Sequence, residues 1–597
     1  MILYIFFLLI LLISFILYKN NTKAIVIGSG LAGLSTAITI LENGGNVVLV
    51  EKQSSLGGNS SKASSGINAA YSENQKSNNI KDSLEEFTKD TLKSTQYNNQ
   101  SYRTLINQLV GNSKNAIEWL ESKDVNLNSV AILGGHTNAR THRPNTNTLV
   151  GIEIISKLTK HLNSFYNLTI HKNTQLESFI QNNNNAIMGI NCKKNGKNIK
   201  LYGNVVILAT GGFGNNVNYI KLLPNIRKKK PELFINNSFN QLIPTTNSAA
   251  TTGDGIILGK LINAETVDMD DIQVHPTGFI DPNDQYNRTK ILCGEVLRGV
   301  GAILLDTRFK RFCNELDTRQ NIVNSMNSYN DKRFIILLSN ETANKISSHI
   351  QHYVNNNLLT KVSDISNYLK TNNVKQITRT NNEIFIELIK YNNDVANKKD
   401  SFGKTTFPAI INPKKPVYIG WITPVIHYCM GGLKINEKCQ VIDKQGNHIE
   451  RLYAAGEVTG GIHGKNRLGG NSLLECTVYG RIAGEQAMQY LNSSFNFSIM
   501  NSVYSVYSKI WNSFSWNIFV GGKKITKEEL SNHNKAGDVW IAIDNNVYNV
   551  SDYVDKHPGG AESIMRYAGK DATSAFYQIH EKFMLEPLKN KIVGKLV

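Results

Sequence analysis

A glycine-rich turn near the start of the chain constrains the fold more than any other feature of the sequence. An apolar strand at residues 24–27 leads into Gly28-Ser29-Gly30-Leu31-Ala32-Gly33, a helical pattern continues to residue 41, and a second apolar strand at 47–50 ends at Glu51. In a dinucleotide-binding βαβ unit the first glycine makes the tight turn, the second lets backbone approach a pyrophosphate, and the third lets helix and strand pack closely. The helix N-terminus binds the phosphates, and an acid about 20 residues on binds ribose hydroxyls. The sequence therefore predicts a Rossmann-like α/β domain.

Length and charge limit what accompanies this domain. The 597 residues are too many for one core, and about three to four domains are expected. The net charge of +18 raises the question of nucleic-acid binding, but the basic residues are spread along the chain without a basic stripe or a nucleic-acid motif. An enzyme with an anionic substrate, and no nucleic-acid partner, is the simpler interpretation. None of the 6 cysteines forms a Cys-x-x-Cys pair, which argues against a zinc site and against covalent haem attachment.

The N-terminus is a candidate membrane segment. Residues 1–18 are almost wholly apolar and would span about 27 Å as a helix, close to a thin bilayer core. They lack the basic start and the small-residue cleavage site of a signal peptide. We therefore predict a retained hydrophobic helix that anchors the chain to a membrane, with a cleaved signal and the secretory lumen as the alternative. Positive charges at Lys19 and Lys23 favour domains that face the cytoplasm, on the endoplasmic reticulum membrane.

Later segments resemble one superfamily. Gly57-Gly58-Asn59-Ser60 and Ser64-Ser65-Gly66-Ile67-Asn68 are similar to the flavin-contacting loop of the fumarate reductase and succinate dehydrogenase flavoproteins. Residues 205–213 and 452–461 resemble the same superfamily, and in each an apolar strand runs into glycines that let backbone lie against a cofactor. The resemblance implies an FAD-binding domain at 23–270 and 428–492, interrupted by an inserted α+β capping domain at 271–427.

The same resemblance implies a set of FAD-contacting residues. They are Gly28, Gly30, Leu31, Ala32, Gly33, Glu51, Lys52, Gly58, Asn59, Ser60, Ser65, Gly66, Asn68, Ala209, Thr210, Gly211, Gly212, Asp254, Tyr428, Glu457, Ser472 and Leu473. Quinone-linked members of the superfamily attach FAD covalently through a histidine in the first loop. This chain has no histidine between residues 52 and 70, and Asn59 stands near that place. We therefore predict non-covalent FAD, as in the soluble fumarate reductases.

Four further segments resemble the active site of the soluble, yeast-type fumarate reductases. They are residues 271–278, residues 294–299 with 314–319, residues 427–432, and residues 463–472. Fumarate carries a carboxylate at each end of its double bond, so reduction needs both ends held, a hydride from the flavin to one carbon and a proton to the other. Arg467 has a planar fork that suits bidentate carboxylate binding. The resemblance implies that His275, His427 and Gly470 complete the substrate site.

The proton donor is also implied by the resemblance. It is Arg319, supplied by a relay of Arg298 and Glu295, which are three residues apart and so share one face of a helix. A guanidinium is essentially never deprotonated at rest, so this role requires its proton to be replaced at once. The chain departs from many bacterial relatives at Gly294, where they have threonine. A further family-like segment near the flavin, for which a structural role is the alternative, contains His136, His142 and Arg143.

The C-terminal residues 523–597 resemble cytochrome b5, a small α+β haem domain. They follow a Ser/Asn-rich linker at 493–522, and they contain a capped helix start at Thr526, a strand at 538–543 and the run His557-Pro558-Gly559-Gly560. His-Pro-Gly-Gly is the strongest signature of this family, and the resemblance implies His557 and His580 as axial ligands of haem b. Two histidine ligands leave the iron no open position, so such a centre moves single electrons. A haem-free binding fold is the alternative.

Together these segments predict an electron relay from an external donor through haem and FAD to fumarate, with succinate as the product. No length remains for a nicotinamide-dependent reductase domain, so the donor is expected to be a separate protein such as a cytochrome b5 reductase. Three alternatives stay open: reduction of another unsaturated acid, oxidation of succinate, and a membrane-tethered b5 electron carrier whose flavoprotein half is inactive. The lack of a histidine for covalent FAD argues against succinate oxidation.

Overall fold

The computed structural model divides into two compact units, residues 1–495 and residues 496–597. It describes residues 23–97, 99–146, 148–235, 241–363, 365, 368, 381–493 and 523–597. The helix predicted at 1–18 and the linker from residue 494 to 522 lie outside the described residues. Across the ranges just given, no helix combines the length and the apolar character needed to cross a bilayer.

A six-stranded sheet forms the centre of the first unit. In spatial order its strands are Gln440–Ile442, His448–Ala454, Val205–Leu208, Lys23–Ile27, Asn46–Val50 and Leu168–His171. All neighbours run parallel except the first pair, so the carboxyl ends of the strands share one edge, where ligands bind in open α/β sheets. The helix Leu31–Glu42 packs on this sheet with every residue buried except the last, which confirms the predicted βαβ unit.

Smaller sheets and helices complete the FAD-binding region. Antiparallel sheets are formed by Ile67–Asn68, Thr141–Arg143 and Ser129–Ala131, and by Thr174–Gln181, Ile187–Lys194 and Lys197–Tyr202; a third sheet joins Thr266–Val267, Gly432–Lys434 and Thr459–Gly460. The helices are Glu73–Ser77, Leu84–Thr95, Gln100–Gly111, Ser113–Glu121, Val150–Leu162, Val217–Leu222, Ile226–Lys229, Asp254–Leu261 and residues 471–493, with 3-10 turns at Gly58–Lys62 and Pro231–Leu233.

An antiparallel sheet organises the capping region. Its strands, in spatial order, are Ile291–Leu292, Ile272–Phe279, Val417–Cys429, Phe334–Ser339 and Ile303–Leu305, and Thr360–Val362 pairs with the third of these. Alternate residues of Phe334–Ser339 enter two separate apolar cores, one on each face. The helices are Glu295–Gly299, Arg319–Asn327, Asn340–Asn344, Ser347–Asn355 and Asn381–Asn397. The strand Val417–Cys429 runs through the predicted domain boundary at residue 427, so the capping sheet continues directly into the FAD-binding region.

The second unit is a small α+β domain. Its sheet has the order Lys524–Ile525, Ile592–Leu596, Asn546–Asn549, Asp538–Ile543 and Asn534–Lys535. Helices at Lys527–Asn532, Ala561–Met565 and Thr573–Tyr577 and 3-10 segments at Val554–Lys556 and Lys582–Lys591 complete it. The Thr526 hydroxyl accepts a hydrogen bond from the amide of Glu529, which confirms the predicted helix cap.

Candidate functional site

A cavity of about 500 Å³ lies at the carboxyl edge of the central parallel sheet. All but three of the predicted FAD-contacting residues line it: Gly28, Gly30, Leu31, Ala32, Glu51, Lys52, Gly58, Asn59, Ser60, Ser65, Gly66, Ala209, Thr210, Gly211, Asp254, Tyr428, Glu457, Ser472 and Leu473. Arg319, His427, Arg467 and Gly470 line the same cavity. Most of the residues predicted for the cofactor and three of the four predicted for the substrate therefore share one cavity, whereas the fourth, His275, is not among the residues that line it.

Three predicted cofactor residues lie behind the cavity wall and support it. Gly33 packs its backbone on the glycine-rich turn, where a Cβ atom would collide with the carbonyl of Gly28. Asn68 donates hydrogen bonds to the carbonyl of Gly469 at 2.6 Å and to Oδ1 of Asn471 at 2.7 Å. Gly212 leaves room for Glu457, whose Oε1 would be 2.7 Å from a Cβ at that position. These three residues support the wall in this structure, and their contact with the cofactor stays a prediction.

The pyrophosphate end of the cavity is built as the glycine motif predicts. Gly28 has a φ of +100°, which glycine adopts readily. The Glu51 carboxylate accepts hydrogen bonds from the amide and the hydroxyl of Ser29 at 2.9 and 2.5 Å. Thr210 lines this cavity, and its hydroxyl is buried and has no hydrogen-bond partner in the described part of the chain. Because buried hydroxyl groups are normally hydrogen-bonded, the cavity fits a bound dinucleotide such as FAD.

Asn59 occupies the loop position where relatives with covalent FAD carry histidine. Its amide nitrogen donates to Oδ1 of Asn247 at 2.8 Å and to Oγ1 of Thr251 at 3.0 Å, and its Oδ1 accepts from the amide of Ser248 at 3.1 Å. The side chain therefore holds the neighbouring loop in place. An amide used in this way supports a non-covalent cofactor.

Two long antiparallel strands bring the predicted substrate histidines together. His275 on Ile272–Phe279 and His427 on Val417–Cys429 have ring centroids 5.3 Å apart. Burial, reinforced by nearby arginine charge, holds the pKa of each histidine well below its ordinary value, so both are neutral at pH 7. The hydroxyl of Thr246 lies 2.9 Å from Nδ1 of His427, and the amide of Thr277 donates to Nδ1 of His275 at 3.2 Å.

Arg319 and Arg467 are held side by side by one glutamine. Oε1 of Gln273 accepts from Nη1 of Arg319 at 2.9 Å and from Nη2 of Arg467 at 3.2 Å. The Arg467 guanidinium also stacks on the ring of Tyr428, 4.5 Å from its centroid. Burial lowers the pKa of Arg467 to about 10, and the positive charge of Arg319 acts in the same direction.

The predicted relay residues are in contact. Nη2 of Arg319 lies 2.7 Å from Oε2 of Glu295, and Nη2 of Arg298 lies 3.7 Å from Oε1 of the same carboxylate. Burial by itself would raise the pKa of Glu295, but Arg319 and Arg298 outweigh it and lower this pKa to about 2. Arg298 also donates to the carbonyl of Glu315 at 2.7 Å.

His136, His142 and Arg143, from the further family-like segment near the flavin, differ in how close they lie to the cavity. His142 is fully buried and bonds the Arg140 carbonyl at 2.9 Å and the Ser72 hydroxyl at 2.6 Å, as a structural core histidine does. His136 bonds the carbonyl of Gly469 at 3.0 Å, beside the substrate end of the cavity. Arg143 is outside the cavity lining.

Two contributors to the site were not predicted. Gln273 belongs to a segment whose resemblance to an active site was recognised, and it is two residues before His275 on the same strand. Since side chains at i and i+2 share one face of a strand, its position held a usable signal. Thr246, which contacts His427, stands in a loop with no motif, and only the tertiary fold brings the two together.

The second unit contains the predicted haem ligands. The rings of His557 and His580 are nearly perpendicular, with centroids 5.8 Å apart and an interplanar angle of 86°. A histidine nitrogen binds a metal ion at about 2 Å, so an iron atom between two rings requires centroids about 6 Å apart. Large apolar side chains beside His580 are exposed, namely Tyr577, Ile579, Phe583 and Met584. The two rings and this apolar surface fit a haem.

Comparisons with known proteins agree with this geometry. Residues 23–473 match the family described as FAD binding domain, and residues 526–597 match the Cytochrome b5-like Heme/Steroid binding domain. The chain is 38% identical to Fumarate reductase 1 of Saccharomyces cerevisiae, across 78% of this chain and 98% of that protein. It is 36% identical to the Fumarate reductase of Schizosaccharomyces pombe, across 78% and 90%. The open conformation of a flavocytochrome c3 fumarate reductase superposes with a TM-score of 0.65 at 31% identity, covering 79% of this chain and 78% of that one.

Proposed function

The chain belongs to the FAD-binding-domain family of the fumarate reductases and carries a cytochrome b5-like domain, and we propose that it reduces fumarate to succinate with electrons that arrive through its haem. FAD and haem are its two cofactors, and it is an FAD-dependent oxidoreductase. Fumarate as the substrate and the haem as the route of the electrons are the parts of this statement that we propose.

The observation that carries the proposal is an excess of positive charge at one end of the cavity. Arg298, Arg319 and Arg467 are 1%, 8% and 4% exposed. In the described part of the chain, Glu295 is the only carboxylate within 4.0 Å of their guanidinium groups. With both histidines neutral, three positive charges have one carboxylate in direct contact, and Glu475 and Glu457 act on Arg467 only from a greater distance. Because buried charges are normally paired, a small dianion such as fumarate would neutralise this end of the cavity.

The two ends of such a dianion have separate binding groups. Arg467 presents its guanidinium to the cavity, and its buried Nε has no hydrogen-bond partner among the described residues. A backbone amide can only donate, so Nδ1 of His275 is an acceptor and the proton of this neutral ring is on Nε2. That Nε2–H can donate to a carboxylate. His427, fixed by the Thr246 hydroxyl, is placed beside it to bind the same substrate.

We propose that Arg319, together with Glu295 and Arg298, supplies the proton. Glu295 stays ionised at neutral pH because its pKa is about 2, so it returns a proton to Arg319 only as it receives one. Arg298 is the next donor, but 3.7 Å between its Nη2 and Glu295 Oε1 exceeds hydrogen-bond length. A water molecule that bridges these two groups would complete the relay.

Bound FAD supplies the hydride and accepts electrons one at a time, which suits a haem as its source. A cytochrome b5 reductase is the class of donor that we propose for the haem of the C-terminal unit. We also propose that residues 1–18 anchor the enzyme to the endoplasmic reticulum membrane with its domains in the cytoplasm. Fractionation of cells that express the chain with and without this segment tests the anchor.

The decisive experiment is an anaerobic assay of the purified, cofactor-loaded protein with reduced viologen and fumarate. We expect fumarate-dependent viologen oxidation, succinate as the product, and an absorption spectrum with both flavin and b-type haem bands. Acrylate, urocanate and succinate serve as comparison substrates. No turnover of fumarate, or a higher kcat/KM with a monocarboxylate, would refute the proposed substrate.

A His580→Ala variant tests the haem as the electron route. Removal of one axial ligand should abolish fumarate reduction driven by a cytochrome b5 reductase and NADH. Viologen-driven turnover should persist, because viologen reduces the flavin directly. If both activities survive in the variant, the haem is not on the path of the electrons.

A further inference from the structure

One buried carboxylate, bonded to a tyrosine that lines the cavity, has no assigned role. Glu475, on the helix at residues 471–493, is 1% exposed and does not line the cavity. Its Oε2 accepts a hydrogen bond from the hydroxyl of Tyr428 at 2.5 Å and lies 2.8 Å from Nε2 of His463. No lysine or arginine of the described residues is within 4.0 Å of it. Because a buried carboxylate is normally paired with a cation, the His463 ring or a more distant arginine must supply that charge.

Tyr428 connects this carboxylate to Arg467. The tyrosine is on the strand Val417–Cys429 and lines the cavity, and the Arg467 guanidinium carbon lies 4.5 Å from the centroid of its ring. A cation over an aromatic face is attracted to the electrons of the ring, and a phenol that donates to a carboxylate is polarised so that its ring carries more negative charge. Burial lowers the pKa of Arg467, and the charge of Glu475 opposes that effect. The carboxylate, the phenol and the guanidinium therefore form one chain of contacts.

This arrangement keeps the carboxylate away from the N–H groups of Arg467. Arg319 is different, because Glu295 bonds its guanidinium directly at 2.7 Å. Arg467 has no carboxylate of the described residues within 4.0 Å, and its buried Nε has no hydrogen-bond partner among them. A carboxylate in direct contact would occupy the donors that bind a substrate carboxylate in a bidentate manner. A carboxylate bonded to the Tyr428 hydroxyl supplies negative charge nearby and leaves these donors without a competing anion.

We propose that Glu475 is a positioning residue of the substrate site, which holds the Tyr428 ring through its hydroxyl and so fixes the Arg467 guanidinium for the substrate carboxylate. This inference rests on the proposed fumarate reduction. Glu475 does not line the cavity, so it acts on the substrate only through the tyrosine and the arginine. Because Arg467 binds a carboxylate that takes no part in bond making, a loosened guanidinium should weaken binding more than it slows the reaction.

Two substitutions in the cofactor-loaded enzyme alter the connection at different atoms. Tyr428→Phe keeps the ring and removes the hydroxyl, whereas Glu475→Gln keeps an acceptor oxygen and removes the charge. In each variant we expect the KM for fumarate, assayed per bound FAD, to rise about ten-fold, as for loss of a hydrogen bond to a charged group, with kcat changed less than three-fold. The dissociation constant of malonate, a dicarboxylate that is not reduced, should rise by a similar factor when read from the flavin absorbance.

A double variant distinguishes one shared connection from two separate supports. Tyr428→Phe with Glu475→Gln should raise the KM no further than Tyr428→Phe alone, because both substitutions act on the same contact. Glu475→Asp keeps the charge on a shorter side chain, and its KM should lie between those of the wild type and Glu475→Gln. Tyr479→Phe is the matched control and should keep the KM within two-fold of the wild type. Tyr479 is on the same helix, is fully buried, donates to the Leu105 carbonyl at 2.7 Å and does not line the cavity.

The outcomes are distinct. A KM and a malonate dissociation constant within two-fold of the wild type in Tyr428→Phe overturn the inference and leave fumarate reduction standing. A double variant whose KM rises by the product of the two single increases shows that the residues act separately, and also overturns it. A wild-type enzyme that does not reduce fumarate refutes the proposed function, and the malonate dissociation constants then decide the inference alone. If Glu475→Gln does not fold, Tyr428→Phe still decides, because Glu475 keeps its contact with His463 in that variant.

Discussion

Two clusters of buried charge, one within the capping region and one at its border with the FAD-binding region, differ in their balance of positive and negative charge. In the first, Arg311 and Lys404 meet Glu315 and Asp400 at distances of 2.7 to 2.8 Å. Two cations and two anions balance there, and Asp394 approaches only from a partly exposed edge at 3.8 Å. We call these four residues the balanced cluster.

The second is the arginine cluster of Arg298, Arg319 and Arg467 with Glu295, which has one anion for three cations. Arg298 donates to the carbonyl of Glu315, so the two clusters touch. Burial of an uncompensated charge is costly, and a fold retains it only where something else compensates. The balanced cluster therefore serves the stability of the fold, whereas the arginine cluster is arranged for an anionic ligand. Substitutions in the two clusters should have opposite consequences.

The largest expected effect is a loss of fumarate reduction when a residue of the arginine cluster is substituted. Arg319→Gln removes the proposed proton donor and one positive charge, so kcat/KM for fumarate should fall about 10²- to 10⁴-fold, the range of general acid catalysis. Steady-state kinetics with reduced viologen measure it. Arg333→Gln is the matched control, because Arg333 is a partly exposed capping-region arginine paired with Asp331 at 2.9 Å. A loss below ten-fold in Arg319→Gln would remove Arg319 as the donor.

In the balanced cluster the effect should fall on stability. Glu315→Gln removes the anion shared by Arg311 and Lys404 and leaves two buried cations with one close carboxylate. The free energy of unfolding should fall by about 3–5 kcal/mol, while kcat of the folded enzyme changes little. Urea unfolding followed by circular dichroism measures it. Glu341→Gln, at an exposed pair 3.5 Å from Lys415, should change stability by about 0.5 kcal/mol or less. Equal losses in the two variants would contradict the comparison.

The comparison also shows which features of the fold and of the site could be predicted from the sequence alone. The glycine-rich turn, the two histidine-bearing segments and the cytochrome b5-like segment could be recognised from the sequence, because each carries its signal within a short stretch of chain, whereas the strands that hold the histidines were not predicted. The strand Asp538–Ile543 has the predicted bounds, and Leu31–Glu42 ends one residue later than predicted. In these elements local patterns of apolar residues and glycines specify the structure.

Pairings between distant segments were not predictable. Gln273 joins two arginines that are 148 residues apart, and Lys404 reaches Glu315 from 89 residues away. The motif that includes Arg319 also contains Glu315, but nothing in it shows that Glu315 belongs to the balanced cluster and Arg319 to the proposed site. That distinction depends on which charges the tertiary fold places together, and a single sequence does not record this.

Lower pH should destabilise the fold through buried histidines that lie outside the balanced cluster. The unfolded chain protonates histidine near pH 6.5, whereas burial lowers the pKa of His142 and of His349 to about 4. Such a histidine contributes stability above pH 6.5 that is lost as the pH falls toward 4. The loss from pH 7 to pH 5 is about 2 kcal/mol for each. The balanced cluster contains no histidine, and the pKa values of Glu315 and Asp400 are lowered by their cations against the effect of burial.

Urea unfolding at pH 7 and pH 5 checks this expectation. His142→Gln should reduce the pH-dependent loss by about 2 kcal/mol. His427→Gln should reduce it as well, because burial together with Arg467 and Arg319 keeps the pKa of His427 well below its ordinary value. Stability that stays constant from pH 7 to pH 5 would show that these rings are not held neutral.

The smallest expected effect, a change in the free energy of unfolding, is the most direct test of the difference between the arginine cluster and the balanced cluster. Arg467→Met replaces a buried cation that, among the described residues, makes two long hydrogen bonds, to Gln273 at 3.2 Å and to the Leu468 carbonyl at 3.4 Å, and stacks on the ring of Tyr428. Because no carboxylate of the described residues lies within 4.0 Å of this cation, and a methionine can still pack on the ring, the substitution should raise the free energy of unfolding by about 1 kcal/mol, although turnover is lost. Arg311→Met is the matched substitution in the balanced cluster and should lower it.

Thermal unfolding of the FAD-loaded protein measures both variants. Malonate should stabilise the wild type by an amount set by its concentration relative to its dissociation constant, and it should not stabilise Arg467→Met. A ligand would then supply in the wild type the negative charge that the fold itself supplies at Arg311. If Arg467→Met instead lowers stability as much as Arg311→Met, both arginines are structural and the excess charge is not a binding device.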